Sequence, residues 1–290
     1  MRPTVITPMV TPFNRDGSIS AEMTETLLSS MSSWGVDGAF PLGTTGVFPW
    51  LRMDERRNFL ELVSSKSVKM KLYAGISSPC LEDVISLADL SRDLGYNYAV
   101  ILPPYYIRPG EEGVRSFFSR IFESTDIRFI VYNIPQYVGY QVPLKLLHSL
   151  AAEYSNFSGI KDSSGDMRYH ERLNQIRNDD FSVYQGQDDL FTQSVLLGSE
   201  GGVCGTTNFM PHVVEMARLI GEGKMDSAAK LQAEKINVMI DALKNDDYPS
   251  TYYYSFYHSA GLKGGYRLPM LEPGKPSRDL LDRLIDGDRP

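Results

Sequence analysis

One lysine carries the clearest chemical signal in the chain. Lys161 closes the apolar run Phe157-Ser158-Gly159-Ile160 and is followed by Asp162-Ser163-Ser164-Gly165-Asp166. Burying an ammonium at such a place is costly unless it is paired, which favours the neutral amine. A neutral amine attacks ketones and forms a Schiff base. From position alone, a lysine that snorkels its charge out to solvent is the stronger reading. Tyr132 ends another apolar run, and a phenol beside a Schiff base can relay protons between substrate and water. An isolated tyrosine there is more often a rim aromatic whose hydroxyl meets a carbonyl. Gly43-Thr44-Thr45-Gly46 offers two hydroxyls and freely oriented backbone N–H groups, which can hold a carboxylate without a full counter-charge. The same four residues also describe an ordinary glycine-bounded turn.

Other chemistries lack their residues. The four histidines, His148, His170, His212 and His258, are scattered, and His-Glu-x-x-His and Cys-x-x-Cys are missing. No catalytic metal and no cofactor are therefore expected. A phosphate-binding glycine loop with Lys-Ser/Thr is absent, as is Gly-x-Ser-x-Gly, which argues against an α/β-hydrolase.

The chain of 290 residues is 42% hydrophobic and 22% charged, enough to bury the core of one large domain or two small ones. A net charge of -7 gives no basic field for nucleic acid. No apolar run approaches the roughly 18 residues of a membrane span. The start, Met1-Arg2-Pro3-Thr4-Val5-Ile6-Thr7-Pro8, has no apolar signal core, and Cys80 and Cys204 are too few for a disulfide framework. A reducing, cytoplasmic setting is expected.

Short apolar runs alternate with longer amphipathic stretches and must position these groups. Strands are predicted at 4–9, 38–42, 71–75, 98–102, 128–132, 157–161, 181–184 and 202–205. Helices are predicted near 21–34, 54–66, 111–124, 143–154, 166–177, 188–197 and 211–222. A further helix follows Ser78-Pro79, taken as N-cap and first helical residue, with Leu81, Val84, Ile85 and Ala88 on its inner face. Eight alternations suggest a (β/α)8 barrel over residues 1–222. A doubly wound sheet is the runner-up, without a glycine-rich dinucleotide fingerprint to support it. Residues 223–290 form a helical extension, with Ala229, Ala233, Ile236, Ile240 and Leu243 on one face. Its aromatic cluster, Tyr252, Tyr253, Tyr254, Phe256 and Tyr257, is expected to pack rather than to cage a ligand.

Taken in order, Thr11-Pro12-Phe13, Gly43-Thr44-Thr45-Gly46, Pro104-Tyr105-Tyr106, Tyr132-Asn133-Ile134-Pro135, the Gly159-to-Asp166 stretch and Gly201-Gly202 resemble the N-acetylneuraminate lyase and dihydrodipicolinate synthase family. The resemblance runs collinearly over roughly residues 1–220 and reverses the reading of Lys161. It implies a homotetrameric (β/α)8 barrel that works on pyruvate through an imine. Lys161 matches the imine-forming lysine and Tyr132 the proton-shuttling tyrosine. Thr44 and Thr45 match the turn that holds the pyruvate carboxylate, with Gly43, Pro8 and Gly186 as further substrate-binding positions. Tyr106 matches a tyrosine that crosses a subunit interface to complete the relay.

The departures point to a subfamily. Val47 stands where many members have Glu, and Tyr137 stands where synthases carry an Arg for the acceptor's carboxylate. Ser255 stands near the place of a lysine common in the family's last third. Val47 and the missing Arg look more like archaeal 2-keto-3-deoxygluconate aldolases, which split a sugar acid, in some cases its phosphorylated form, into pyruvate and glyceraldehyde, while the Ser255 position leaves the extension's role open. The alternatives are a dihydrodipicolinate synthase, an N-acetylneuraminate lyase or a dehydratase using the same imine, or a non-catalytic barrel that binds or senses. Arg108 is read as a solvated rim charge rather than a phosphate contact.

Overall fold

The computed structural model describes residues 1–67 and 69–287. The last three residues of the expected extension lie outside the described residues. Along the chain, β1 (Thr4–Pro8), α1 (Ala21–Trp34), β2 (Gly38–Phe40), α2 (Met53–Lys66), β3 (Lys71–Gly75), α3 (Leu81–Asp93), β4 (Tyr98–Ile101) and α4 (Glu111–Phe122) alternate. There follow β5 (Arg128–Asn133), α5 (Pro135–Val138), α6 (Leu144–Glu153), β6 (Phe157–Asp162), α7 (Met167–Asn174), β7 (Ser182–Gln185), α8 (Phe191–Leu196), β8 (Gly201–Val203) and α9 (His212–Gly221). Four more α-helices follow among the described residues: α10 (Met225–Leu231), α11 (Asn237–Leu243), α12 (Ser250–Ser259) and α13 (Lys275–Asp286). The strands close into a barrel in sequence order, the predicted (β/α)8 fold with helices after it.

Local chemistry sets the helix ends. Ser20 caps α1 by accepting from the Met23 N–H, and Gly35 ends it at φ 81, a left-handed angle that glycine adopts without strain. Asp166 caps α7 by accepting from the N–H groups of Arg168 and Tyr169. The predicted start of α3 needs correction. Cys80, not Ser78, is its N-cap, and Pro79 lies outside the helix. The Ser78 hydroxyl instead accepts from the Cys80 N–H at 3.2 Å and donates to Asp83 at 3.0 Å, closing a turn ahead of the helix. Leu81 and Ile85 are only half-buried, and Val84, Leu87 and Ala88 face the core.

The chain is built as two compact units, Lys71–Val203 and Met1–Met70 with Cys204–Pro290. In the first, β5 and β6 pair in parallel, with Tyr132 opposite Lys161 and Asn133 opposite Asp162. Phe122, Phe157 and Phe181 pack in series outside these strands, with ring centroids 5.2 and 4.9 Å apart.

In the second unit, α12 supplies phenols to the chain that follows β1. The Tyr253 hydroxyl accepts from the Thr11 N–H at 3.0 Å, and the Tyr257 hydroxyl accepts from the Phe13 N–H at 3.1 Å. Arg267 forks onto the Glu55 carboxylate at 2.7 and 2.9 Å and lies 4.7 Å from the Phe13 ring centroid. The expected apolar face of 225–243 is corrected: Ala229 and Ala233 are exposed, and Ala228, Gln232, Ile236, Met239, Ile240 and Leu243 are buried. A π-helical turn at Gln232–Ile236 breaks the uniform period that the sequence reading assumed.

No helix of the described residues is long and apolar enough to cross a membrane. Among those residues, no group of three or more His, Cys, Asp or Glu side chains is arranged to hold a metal ion.

Candidate active site

In a closed parallel barrel, the loops after the strands carry the chemistry. Strand β6 delivers Lys161 near its C-terminal end, buried to 4% exposure. Its Nζ lies 3.9 Å from the centroid of the Tyr132 ring on β5. The register sets Tyr132, Lys161 and Tyr184 side by side on three neighbouring strands. Tyr132 and Tyr184 are buried as well, and burial pushes the Tyr184 phenol up to about 12, so it stays protonated at neutral pH. A lysine so enclosed cannot snorkel its charge into water.

Gly186 is the close neighbour that leaves room for the amine. A Cβ there would overlap Ser163 Oγ and lie 3.0 Å from Lys161 Cε and 3.1 Å from the Asp162 carbonyl. The Gly186 N–H donates to that carbonyl at 2.7 Å, fixing the turn after β7 against β6. Ser163 Oγ is buried and accepts or donates no hydrogen bond among the described residues.

The opposite face of the same strands anchors the pair. Asp162 accepts from Asn133 Nδ2 at 2.8 Å and from the Ser164 N–H and hydroxyl, both at 3.1 Å. His170 on α7 places Nδ1 3.0 Å from Asp162 and Nε2 2.7 Å from the Ser199 hydroxyl. A carboxylate only accepts, so the Nδ1 proton points at Asp162. Each residue that follows a member of the Tyr132–Lys161 pair is thus held by its side chain. Sequence reasoning left His170 among scattered histidines; its signal was the strand alternation that turns Asp162 away from Lys161 and toward α7.

In the other unit, Gly43, Thr44 and Thr45 form one turn after β2. The Val47 N–H donates to the Thr44 carbonyl at 3.0 Å. Leu42 at φ 60 and Val47 at φ 50 bracket the turn in left-handed backbone, which ends β2 two residues earlier than predicted. Such angles cost non-glycine residues on the order of 1–3 kcal/mol each. Gly46 is required, since a Cβ would sit 2.8 Å from the Met9 carbonyl oxygen. Pro8 ends β1 in register with Phe40, and its carbonyl accepts from Asn208 Nδ2 at 2.9 Å. Thr45 is buried, with Oγ1 2.8 Å from the Tyr248 hydroxyl, while Thr44 is half-buried.

Tyr106 is placed differently. It is 94% exposed, on a turn with φ 73. Arg108 is exposed too, its guanidinium 4.9 Å from the Tyr140 ring centroid. The Tyr140 hydroxyl donates to the Pro104 carbonyl at 2.8 Å, and burial pushes this phenol up to about 12. Burial, and to a lesser extent the neighbouring Tyr132 hydroxyl, pushes the Tyr137 phenol above its usual range.

The chain matches the model of the dihydrodipicolinate synthetase family over residues 2–287. It is 38% identical to an uncharacterised DapA-like lyase of Thermoplasma acidophilum over 281 residues, 97% of this chain and 96% of that one. It is also 38% identical to a 2-dehydro-3-deoxy-D-gluconate/2-dehydro-3-deoxy-phosphogluconate aldolase of Picrophilus torridus, over 92% of this chain and 99% of that one. A solved structure of 2-keto-3-deoxygluconate aldolase from Picrophilus torridus matches with a TM-score of 0.91 at 36% identity, covering 94% of this chain and 99% of that one.

Proposed function

The chain belongs to the dihydrodipicolinate synthetase family and is a lyase of class I aldolase type, and from that membership we propose that it splits and forms 2-keto-3-deoxy sugar acids, with 2-keto-3-deoxygluconate, free or phosphorylated, giving pyruvate and glyceraldehyde or its phosphate. The observation that carries the reading is the buried Lys161 amine 3.9 Å from the Tyr132 ring centroid. The identity with the Picrophilus aldolase supports the choice of substrate, as does Tyr137, which offers a phenol where a carboxylate-bearing acceptor needs a guanidinium.

The proposed steps use the chain's own groups. Lys161 Nζ adds to the keto carbon, water leaves, and a protonated imine forms. Tyr132, having given its phenolic proton to the departing water, takes the proton of the C4 hydroxyl, and the C3–C4 bond breaks. Its electron pair enters the imine, leaving an enamine and releasing the aldehyde. Protonation at C3 and hydrolysis of the imine then free pyruvate and restore the amine. The Gly43-Thr44-Thr45 turn is assigned to the substrate carboxylate, with Pro8 and Gly186 lining the pyruvate position. Fixing the carboxylate can contribute several kcal/mol, up to about 7–11 in well-aligned systems. Tyr106 is assigned to the relay of a neighbouring subunit in a homotetramer, and the protein to the cytoplasm.

Incubation with pyruvate and cyanoborohydride tests the reading. A reduced pyruvate adduct on Lys161, located by peptide mass spectrometry and lost in Lys161→Arg, is expected, together with glyceraldehyde release from 2-keto-3-deoxygluconate. An unmodified Lys161 would refute the imine.

A further inference from the structure

The segment that leads into α12 reaches the Thr-Thr turn. Tyr248 places its hydroxyl 2.8 Å from Thr45 Oγ1, and either oxygen can donate. The tyrosine is held by its surroundings. Its ring meets Tyr252 edge-on at 5.5 Å, and the Ser250 hydroxyl donates to the Asp247 carbonyl at 2.6 Å. Tyr252 in turn packs on Gly205, where a Cβ would lie 2.6 Å from the ring.

Hydroxyl chemistry gives this contact a direction. A carboxylate accepts hydrogen bonds and never donates, so the Thr45 side chain, as distinct from the backbone N–H groups of the turn, can hold one only with its single hydroxyl proton. If Thr45 donates to Tyr248, that proton is already committed. If Tyr248 donates to Thr45 Oγ1, the threonine proton is left for the anion, and the two bonds in series polarise each other. Phenol is the stronger acid of the two, so an arriving anion selects this second arrangement.

We infer that Tyr248 is a positioning residue for substrate carboxylates, acting through Thr45 by donating into its hydroxyl oxygen. The inference rests on the assignment of the Thr-Thr turn to the pyruvate carboxylate. It gives the segment after residue 222 a task in substrate binding, which the sequence alone left without one.

Reductive trapping tests it with two ketones, pyruvate and acetone, the second having no carboxylate. Initial rates are measured over a range of concentrations for the unaltered protein, Tyr248→Phe, Thr45→Val and the double variant, each with its thermal melt. Tyr248→Phe is expected to raise the half-saturating pyruvate concentration about tenfold, the scale of one hydrogen bond serving a charged group, with little change in the limiting rate. Acetone trapping should stay the same, and in the Thr45→Val background the second substitution should add nothing. An unchanged pyruvate dependence, an equal loss with acetone, or an undiminished effect without the Thr45 hydroxyl would overturn the inference. If neither ketone labels Lys161 in the unaltered protein, the imine reading itself fails, and the inference with it. That result is distinct from an adduct that forms normally and ignores Tyr248.

Discussion

At the scale of single residues, the roles proposed for Lys161 and Tyr132 make separable predictions. Tyr132→Phe keeps the ring packed beside Nζ and removes the phenolic proton. Adduct formation with pyruvate should persist while kcat for cleavage falls about 10²–10⁴-fold, as read by single-turnover and steady-state assays. Gly186→Ala should act at the earlier step. Its methyl group would collide with Ser163 Oγ and crowd Lys161 Cε. Slower trapping at every pyruvate concentration is expected, with about 1–3 kcal/mol of lost stability from overpacking. Both target residues were legible in the sequence, one as the end of an apolar run and the other through the family resemblance. Ser163 was not singled out, because a serine beside a lysine says nothing of whether its hydroxyl finds a partner. That depends on which groups the turn after β7 brings over it.

At the scale of elements, side chains that never meet substrate hold strands and segments in place. Removing the carboxylate in Asp162→Ala leaves the buried Asn133 Nδ2 and His170 N–H, and the half-buried Ser164 hydroxyl, without their acceptor. A loss of about 3 kcal/mol or more is expected in denaturant unfolding, several times that of a surface Asp→Ala change. Arg267 makes a second prediction. Its hydrogen bond to Glu55 holds that carboxyl below the usual range, against the opposing effect of burial. A carboxyl with a lowered folded-state pKa stabilises the fold above its unfolded value and loses that contribution as pH falls through the folded value. Arg267→Ala should therefore lower the melting temperature at pH 7 by the equivalent of about 2 kcal/mol, and the gap to the unaltered protein should narrow as pH falls through the folded-state value of Glu55, leaving the part due to the Gly17 carbonyl and the Phe13 ring. Strand rhythm and helix length were readable in advance because they are local. The start of α3 was misread because a serine followed by proline signals a cap and a turn equally well. The buried face of α10 and α11 was misread because alanine carries little burial signal and the π-helical turn alters the phase.

At the scale of the whole molecule, the barrel was legible from eight repeated alternations, while the grouping of residues 1–70 with 204–290 was not. That grouping depends on contacts such as Tyr253 with Thr11 and Arg267 with Glu55, which no local pattern encodes. The assignment of Tyr106 to a neighbouring subunit also belongs to this scale. A tyrosine 94% exposed in left-handed backbone is poorly explained by the isolated chain. If it serves another subunit, Lys161→Ala and Tyr106→Phe proteins, each weakly active alone, should regain activity when unfolded and refolded together. Hybrids then contain some sites with both groups intact. Mixing that yields no more than the sum of the two parents would place Tyr106 outside the relay.

The return of the last third of the chain to β1 has a consequence for synthesis. Ile6, Thr7 and Pro8 find bonding partners at Cys204, Thr207 and Asn208, roughly two hundred residues later. At about 5–20 residues per second, a ribosome needs on the order of 10–40 s to supply them. Through that interval one edge of the nascent β1 has water where the folded chain supplies its partners, and a chaperone that shields apolar strands has its longest opportunity there.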